Sequence, residues 1–225
     1  MRLIWRVFRG QAVDACGADM GNDFDTTESA VDRRRKKAAW LRAVYERNLA
    51  EYRATDISDA LALARKAHEA MDTQLQQDNE TIPDGKQIRC GKGCSHCCHG
   101  PVEIWPQEAA LLAQFVHDAG LKPDLAMLER QSRYTVETWR EQAVADQACV
   151  FLDADGACSV YASRPNACRK LLVMSDPACC DVQQGRMDSV DRWYSWEAEM
   201  MAMAALEVFG MALMPGALLA ALHAK

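Results

Sequence analysis

The sequence predicts a mainly α-helical protein: a helical domain with cysteine-rich metal-binding loops and one small β-hairpin, plus an N-terminal helical arm. Three observations lead to this prediction. Apolar residues recur at helical spacing over most of the chain, extended segments are few and short, and nine of the ten cysteines lie between Cys90 and Cys180. A chain of 225 residues with 49% hydrophobic and 26% charged residues has an ordinary globular composition, which argues against wholesale disorder.

The N-terminal part is predicted to contain two helices that follow a leader. Residues 1–25, which include Cys16, show no regular apolar spacing. A first helix is predicted over 27–53, where several apolar residues fall on one face: Trp40, Leu41, Val44, Tyr45, Leu49 and Tyr52. A second helix is predicted over 56–77, where apolar residues alternate in steps of four and three, as is typical of an antiparallel helix pair.

Two residues of the second predicted helix carry separate expectations. Asp56 is expected to cap its N-terminus, and His68 is interpreted as a packing histidine rather than a metal ligand. The turn-forming residues 78–85 then indicate a junction. We therefore predict an N-terminal leader and helical pair over 1–85, and a cysteine-cluster metal-binding domain with a C-terminal helix over 86–225.

The part after the junction is predicted to combine helices with one hairpin. A helix is expected to begin at Pro106 and to end at Gly120. Two further helices are expected over 124–147 and 189–213. The turn from Asp153 to Gly156 is expected to join two short strands in a small hairpin, namely Cys149–Leu152 and Cys158–Tyr161.

The two ends of the chain bear on its compartment. Arginines interrupt the first nine residues, which is unlike a secretory leader. The clean apolar run between Glu207 and His223 has 15 residues, short of the ~20 that a spanning helix needs. The net charge of −6 excludes a global basic surface that would attract a nucleic-acid backbone. We therefore expect a cytoplasmic protein with no membrane or nucleic-acid partner, and in a reducing compartment patterned cysteines indicate metal ligands or catalytic thiols rather than disulfides.

The cysteines form two groups of candidate metal ligands. In the first group the thiols lie close together on a loop with two glycines, so they can converge on one ion without straining the backbone. Cys97 and Cys98 are adjacent, and their side chains are expected to diverge. His96 and His99 lie in the same loop as less favoured ligands. The nine candidates are Cys90, Cys94, Cys97, Cys98, Cys149, Cys158, Cys168, Cys179 and Cys180.

The order and spacing of these cysteines resemble a known family. The first motif is Cys90-x3-Cys94-x2-Cys97-Cys98, and it is followed by Cys149-Val150-Phe151-Leu152-x5-Cys158 and Tyr161-x2-Arg164-Pro165-x2-Cys168-Arg169. Together they are similar to the motifs of the YkgJ-type cysteine-cluster proteins, which are described as zinc- or iron-chelating domains. The resemblance covers residues 88–182. It implies a chelating site with an eighth cysteine at position 179 or 180, and seven that match the family by position: Cys90, Cys94, Cys97, Cys98, Cys149, Cys158 and Cys168.

Two arginines flank Cys168, and two interpretations of them stay open. Arginine beside a thiolate site lowers the net charge of the site and keeps sulfurs deprotonated, which would make Arg164 and Arg169 part of the centre. Alternatively, both form salt bridges at the surface.

The identity of the metal is also open, with an iron–sulfur cluster slightly favoured over zinc. Eight thiolates would complete two tetrahedral zinc sites, and four of them would hold one [4Fe–4S] cluster. The spacing of Cys90, Cys94 and Cys97 equals that of the triad in radical S-adenosylmethionine enzymes. Those enzymes need alternating strands and helices after the triad, whereas the 128 residues that follow Cys97 are mostly helical in pattern.

These observations predict a cytoplasmic metal-binding protein of the cysteine-cluster type. Two alternatives remain. One is a cluster-assisted group-transfer enzyme that resembles the flagellin lysine methylases, although the chain lacks a glycine-rich strand–helix loop for a nucleotide-like cofactor. The other is a metal carrier or adaptor that binds a protein partner through its N-terminal helices.

Overall fold

Eight α-helices and two small two-stranded sheets make up the regular structure of the described residues, 29–56, 58–91, 93–181 and 190–224, in a computed structural model. The mainly α-helical prediction is confirmed. The helices are α1 (Ala30–Ala54), α2 (Ala60–Asn79), α3 (Pro106–Asp118), α4 (Leu125–Gln131), α5 (Val144–Gln147), α6 (Asn166–Arg169), α7 (Trp196–Phe209) and α8 (Met214–His223). The strands are β1 (Glu103–Ile104), β2 (Leu172–Val173), β3 (Arg192–Trp193) and β4 (Ala212–Leu213). The predicted leader with Cys16 lies outside the described residues.

Helices α1 and α2 lie close to their predicted bounds, but the cap of α2 differs. The side chain of Asp59, rather than that of Asp56, accepts the hydrogen bond from the backbone N–H of Ala62, at 2.9 Å. Asp56 instead accepts from the N–H of Ser58 at 2.8 Å, which closes a local turn between the two helices. The helix therefore begins four residues later than predicted, because the carboxylate of Asp56 is used by the turn.

The prediction of a single helix over 124–147 is wrong. The structure has α4, a 3-10 turn at Trp139–Glu141 and α5 in its place. Thr135 and Thr138 exchange hydrogen bonds between their hydroxyls and backbone amides at 2.9 and 3.2 Å, which competes with helix formation. The buried amide of Gln131 donates to the carbonyls of Asp146 and Ala148, so the chain folds back on α4.

The C-terminal region also departs from the prediction of one long helix. Helix α7 begins after Ser195, whose hydroxyl accepts from the N–H of Ala198, and ends at Gly210. Gly210 has a φ of +73°, a conformation that glycine adopts readily and that stops the helix. The chain then pairs β4 with β1 and continues as α8, while the predicted start at residue 189 lies outside the described residues.

The strands pair antiparallel and over two residues each. Strand β1 pairs with β4 in the register Glu103↔Leu213, and β2 pairs with β3 in the register Leu172↔Trp193. The predicted hairpin around Asp153–Gly156 is reduced to one bridge, between Leu152 and Cys158. Its ladder is short because the Asp153 carboxylate accepts the backbone N–H groups of residues 155 and 157 and tightens the turn.

The two largest of the three hydrophobic clusters among the described residues pack the helices together. One lies between α3, α4 and α8, and its fully buried members include Ile104, Leu112, Leu128 and Leu218. The other joins α1 and α2 to α3 and α7, through Tyr52, Leu63, Trp105, Ala204 and Ala205. The N-terminal helical pair thus packs on the part of the chain after residue 85, and the division into two domains there stays a prediction.

None of the described helices combines the length and the apolar character that crossing a bilayer would require.

The packing between the helical pair and the rest of the chain can be tested at Trp105. Its ring stacks on Phe209 at 5.2 Å and meets Tyr52 edge-on at 6.2 Å, and it is only 6% exposed. We expect Trp105→Ala to lower the free energy of unfolding by about 3–5 kcal/mol, because it leaves a cavity in this cluster. Trp40→Ala, at a position 45% exposed, should change it by about 0.5 kcal/mol or less. Urea denaturation measures both, and equal losses would contradict the packing described.

Candidate metal centre

The first cysteine of the cluster is fixed beside strand β2. The backbone N–H of Arg89 donates to the carbonyl of Val173 at 2.8 Å, and the N–H of Val173 donates to Sγ of Cys90 at 3.2 Å. A residue more than eighty positions away therefore orients this thiol. Neither contact has a sequence signal, because both depend on the backbone of β2.

A tight loop carries the next three cysteines. Gly93 has a φ of +92°, a turn conformation that glycine adopts without strain, just before Cys94. A 3-10 turn, His96–His99, then presents Cys97 and Cys98. Consecutive residues of a 3-10 helix start about 120° apart, but a hydrogen bond joins the thiols of Cys97 and Cys98, so the predicted divergence of these side chains is not seen.

Two hydrogen bonds attach this loop to the segment that carries the second cysteine group. The N–H of Cys149 donates to the carbonyl of Cys98 at 2.8 Å, and the indole N–H of Trp139 donates to the carbonyl of His99 at 2.9 Å. The turn residue Gly156, with a φ of +74°, packs so closely on Ser95 that an added Cβ would lie 3.3 Å from the Ser95 hydroxyl. The two groups of the sequence are therefore neighbours in space.

Four thiols line one cavity. Cys90, Cys94 and Cys97 of the first group face it together with Cys180, which is buried at the end of the 3-10 turn Pro177–Cys180. Its other walls are Leu171, Val173, Val190 and Arg192. Cys179, His96 and His99 are absent from this lining. Of the adjacent pair Cys179 and Cys180, only Cys180 thus faces this cavity.

Three further thiols, Cys149, Cys158 and Cys168, form a second set. Burial raises the pKa of Cys149 to about 12, and the neighbouring Cys158 and Cys97 thiols add to the rise. Burial also raises the pKa of Cys168, with further contributions from Cys149, Cys97 and Cys158. Cys97 is therefore an electrostatic neighbour of both sets. It is exposed as a residue, but a hydrogen bond with the Cys98 thiol raises the pKa of its own thiol well above the usual range.

Backbone amides donate to several of the sulfurs. Cys94 receives a hydrogen bond from the N–H of His96, Cys149 from that of Phe151, and Cys158 from that of Val160. In each case the donor is two residues after the cysteine. Amides in these positions stabilise a sulfur that carries negative charge, and they orient it for binding a metal ion.

Arg164 lies among the thiols of both sets. Its guanidinium stacks on the ring of Tyr161 at 4.0 Å, and its Nε is buried with no hydrogen-bond partner in the described part of the chain. Burial raises the pKa values of Cys90 and Cys158, and the charge of Arg164 opposes the rise in both. This contact supports the first of the two interpretations of Arg164.

Arg169 forms a salt bridge, as the second interpretation predicts, but the salt bridge lies in the interior rather than at the surface. Its guanidinium is buried and pairs with Asp72 of α2 at 2.5 Å. One polar partner that the sequence reasoning missed lies beside it, His68, and the ring of His68 in turn contacts the buried Glu108. Glu108 has a local signal, since an acidic residue in the first turn after Pro106 is typical of a helix start.

The donor set suits a soft metal, because it consists of thiols held by backbone amides. Among the described residues, no three His, Cys, Asp or Glu side chains already form a closed coordination group. The thiols therefore share a cavity and its surroundings without yet adopting the geometry of a coordination sphere.

Comparison with known proteins adds one finding. Residues 89–186 match the CxxCxxCC family, described as a "putative zinc- or iron-chelating domain". No curated protein and no solved structure shows significant similarity to the chain. The match begins one residue before Cys90 and includes every thiol of both sets. The cysteine-rich segment of this chain, residues 89–186, is therefore similar to the CxxCxxCC family across its whole cysteine cluster.

Proposed function

We propose that this protein holds a thiolate-bound metal centre in two neighbouring halves that meet at the adjacent pair Cys97 and Cys98. Cys97 would serve the half that shares the cavity, and Cys98, which does not line that cavity, would serve the other. The ligands of the first half are Cys90, Cys94, Cys97 and Cys180, and those of the second half are Cys98, Cys149, Cys158 and Cys168.

The amide hydrogen bonds to sulfur carry this proposal. Cys94, Cys149 and Cys158 each accept an N–H from two residues further along, and Cys90 accepts one from β2. Inert buried thiols have no need of such donors, whereas metal-bound thiolates are stabilised by them. The family match, which is to a chelating domain, supports the same function.

The metal is proposed to be an iron–sulfur cluster or zinc, with iron–sulfur slightly favoured. Either would supply a strong cross-link between distant segments of the chain, and an iron–sulfur cluster would also supply electron transfer. The proposed location is the cytoplasm, where thiols stay reduced. Anaerobic purification with elemental analysis and an absorption spectrum distinguishes the metals: a colourless protein with two zinc ions per chain would exclude iron.

Single cysteine variants test the two halves. A thiolate-rich zinc site contributes on the order of 10 kcal/mol to folding, so the loss of one ligand should lower the melting temperature sharply. Cys94→Ser and Cys158→Ser are each expected to lose the metal of one half if two ions are bound, and all of it if one cluster is shared. Metal content by elemental analysis, together with thermal denaturation, reports the outcome.

Cys179→Ser is the matched control for these variants. Cys179 is next to Cys180 but does not line the cavity, so its replacement should leave metal content unchanged, whereas Cys180→Ser should lower it. Unchanged metal in Cys158→Ser would remove the second half from the proposal.

The protons released on metal binding give a second test. Burial raises the pKa of Cys180 to about 11 and that of Cys149 to about 12, so both thiols are protonated at pH 7 and at pH 9. Protons therefore compete with the metal, and affinity should fall as the pH falls. We expect proton release on zinc binding at pH 7, and Cys149 and Cys180 should still release their protons at pH 9. Thiols of ordinary pKa (~8.5) would be mostly ionised at pH 9 and would release fewer. Calorimetry in buffers of different ionisation enthalpy counts them.

Arg164 provides a third test, of the charge near the centre. Arg164→Gln removes a cation that faces thiols of both halves, so we expect metal affinity to fall about ten-fold. Arg133→Gln removes the same charge from an exposed position and should have no effect. Arg164→Lys keeps the charge, so its metal affinity should lie between those of wild type and Arg164→Gln. A competition assay with a chelator measures these affinities. Equal affinities of the two glutamine variants would assign Arg164 a packing role only.

A further inference from the structure

A buried polar network lies next to Cys168 and outside the ligand set. Its centre is Glu108 of α3, which is 1% exposed. The Glu108 carboxylate accepts from the backbone N–H of Asn166 at 2.7 Å and from Nε2 of His68 at 3.0 Å. It also accepts from the N–H of Trp105 at 3.4 Å. A carboxylate in the interior is stable only with such donors.

The direction of the hydrogen bonds in this network follows from the two groups at its ends, the guanidinium of Arg169 and the carboxylate of Glu108. The guanidinium of Arg169 only donates, and its Nη2 lies 3.4 Å from Nδ1 of His68, so Nδ1 is the acceptor. The proton of the neutral imidazole is then on Nε2, which donates to Glu108. His68 therefore connects a buried cation to a buried carboxylate in a single orientation.

The same arginine fixes the backbone on the N-terminal side of Cys168. Arg169 donates to the carbonyl of Arg164 at 2.8 Å and to that of Ala162 at 2.5 Å. Glu108 holds the N–H of Asn166 within the same segment. The side chains of Arg169 and Glu108 thus hold three backbone groups of residues 162–166. The ring of His68 contacts both of these side chains.

We propose that His68, together with Glu108, is a positioning residue for the metal centre: helix α2 sets the orientation of Cys168 through this network. The inference rests on the function proposed above. His68 lies outside the residues that match the chelating family, so the N-terminal helical pair becomes part of the support of the centre. Partners of this kind, which act on a metal through its ligands, typically change metal affinity by 10–100-fold.

The test uses full-length protein, stripped of metal and titrated with Co²⁺ under anaerobic conditions. The thiolate-to-cobalt charge-transfer absorbance reports how many thiolates bind. We expect His68→Leu to weaken binding by about 10–100-fold and to lower the absorbance at saturation, while helix content stays at the wild-type level. His68→Gln, whose amide can still donate to Glu108, should recover most of the affinity. If His68→Leu is insoluble, Glu108→Gln, which turns a donor toward the N–H of Trp105, should weaken binding about ten-fold.

Two controls separate positioning from general stability. His117→Leu removes an exposed imidazole from the end of α3 and should bind Co²⁺ like wild type. Asp72→Asn keeps an acceptor for Arg169 on a side chain that is 54% exposed, and its effect should be less than three-fold. A His68→Leu protein that melts at a lower temperature but binds Co²⁺ with wild-type affinity and absorbance would overturn the inference. Cys168→Ser tests the ligand set independently, since wild-type binding by that variant would contradict the proposed function itself.

Discussion

The Glu108 carboxylate is buried, so it needs hydrogen-bond donors from the protein. The arrangement of the helices around it follows from this need. One donor comes from α2, one from the start of α3 and one from the start of α6. If any of these three elements moved away, a charged group would remain in the interior with unmet hydrogen bonds, which costs several kcal/mol. The carboxylate therefore couples the position of the helical pair to that of the segment that carries Cys168.

The two proposed halves of the centre consequently depend on different kinds of structure. Cys94 and Cys97 are placed by a short loop with its own turn residue, Gly93, and local amide donors. Cys168 is placed by tertiary packing that extends to α2. Burial raises the pKa values of Cys90 and Cys94 in the first half and of Cys149 and Cys168 in the second, which favours neutral thiols and lowers the mutual repulsion in the metal-free protein.

Much of the fold could be predicted from periodicity, and the candidate thiols from their spacing. Helices α1 and α3 follow apolar patterns of one helical period, and the cysteine motifs pointed to the family whose model matches residues 89–186. The break after α4 could not be found in this way, because it depends on the buried Gln131 amide and its distant carbonyl partners. That Cys180 rather than Cys179 lines the cavity could not be predicted either, since adjacent identical residues carry no spacing signal.

The charges around the thiols fit a centre that is more negative when occupied than when empty. Four thiolates outweigh a divalent cation, so each filled half would carry excess negative charge. A cation stands beside each half: Arg192 lines the cavity of the first and opposes the raised pKa of Cys180, and Arg164 faces thiols of both. Arg164 also has a buried Nε without a partner among the described residues, a donor that an ionised sulfur would satisfy. The protein interior is therefore arranged to compensate a charge that arises only when the thiols lose their protons, which is the event that metal binding requires.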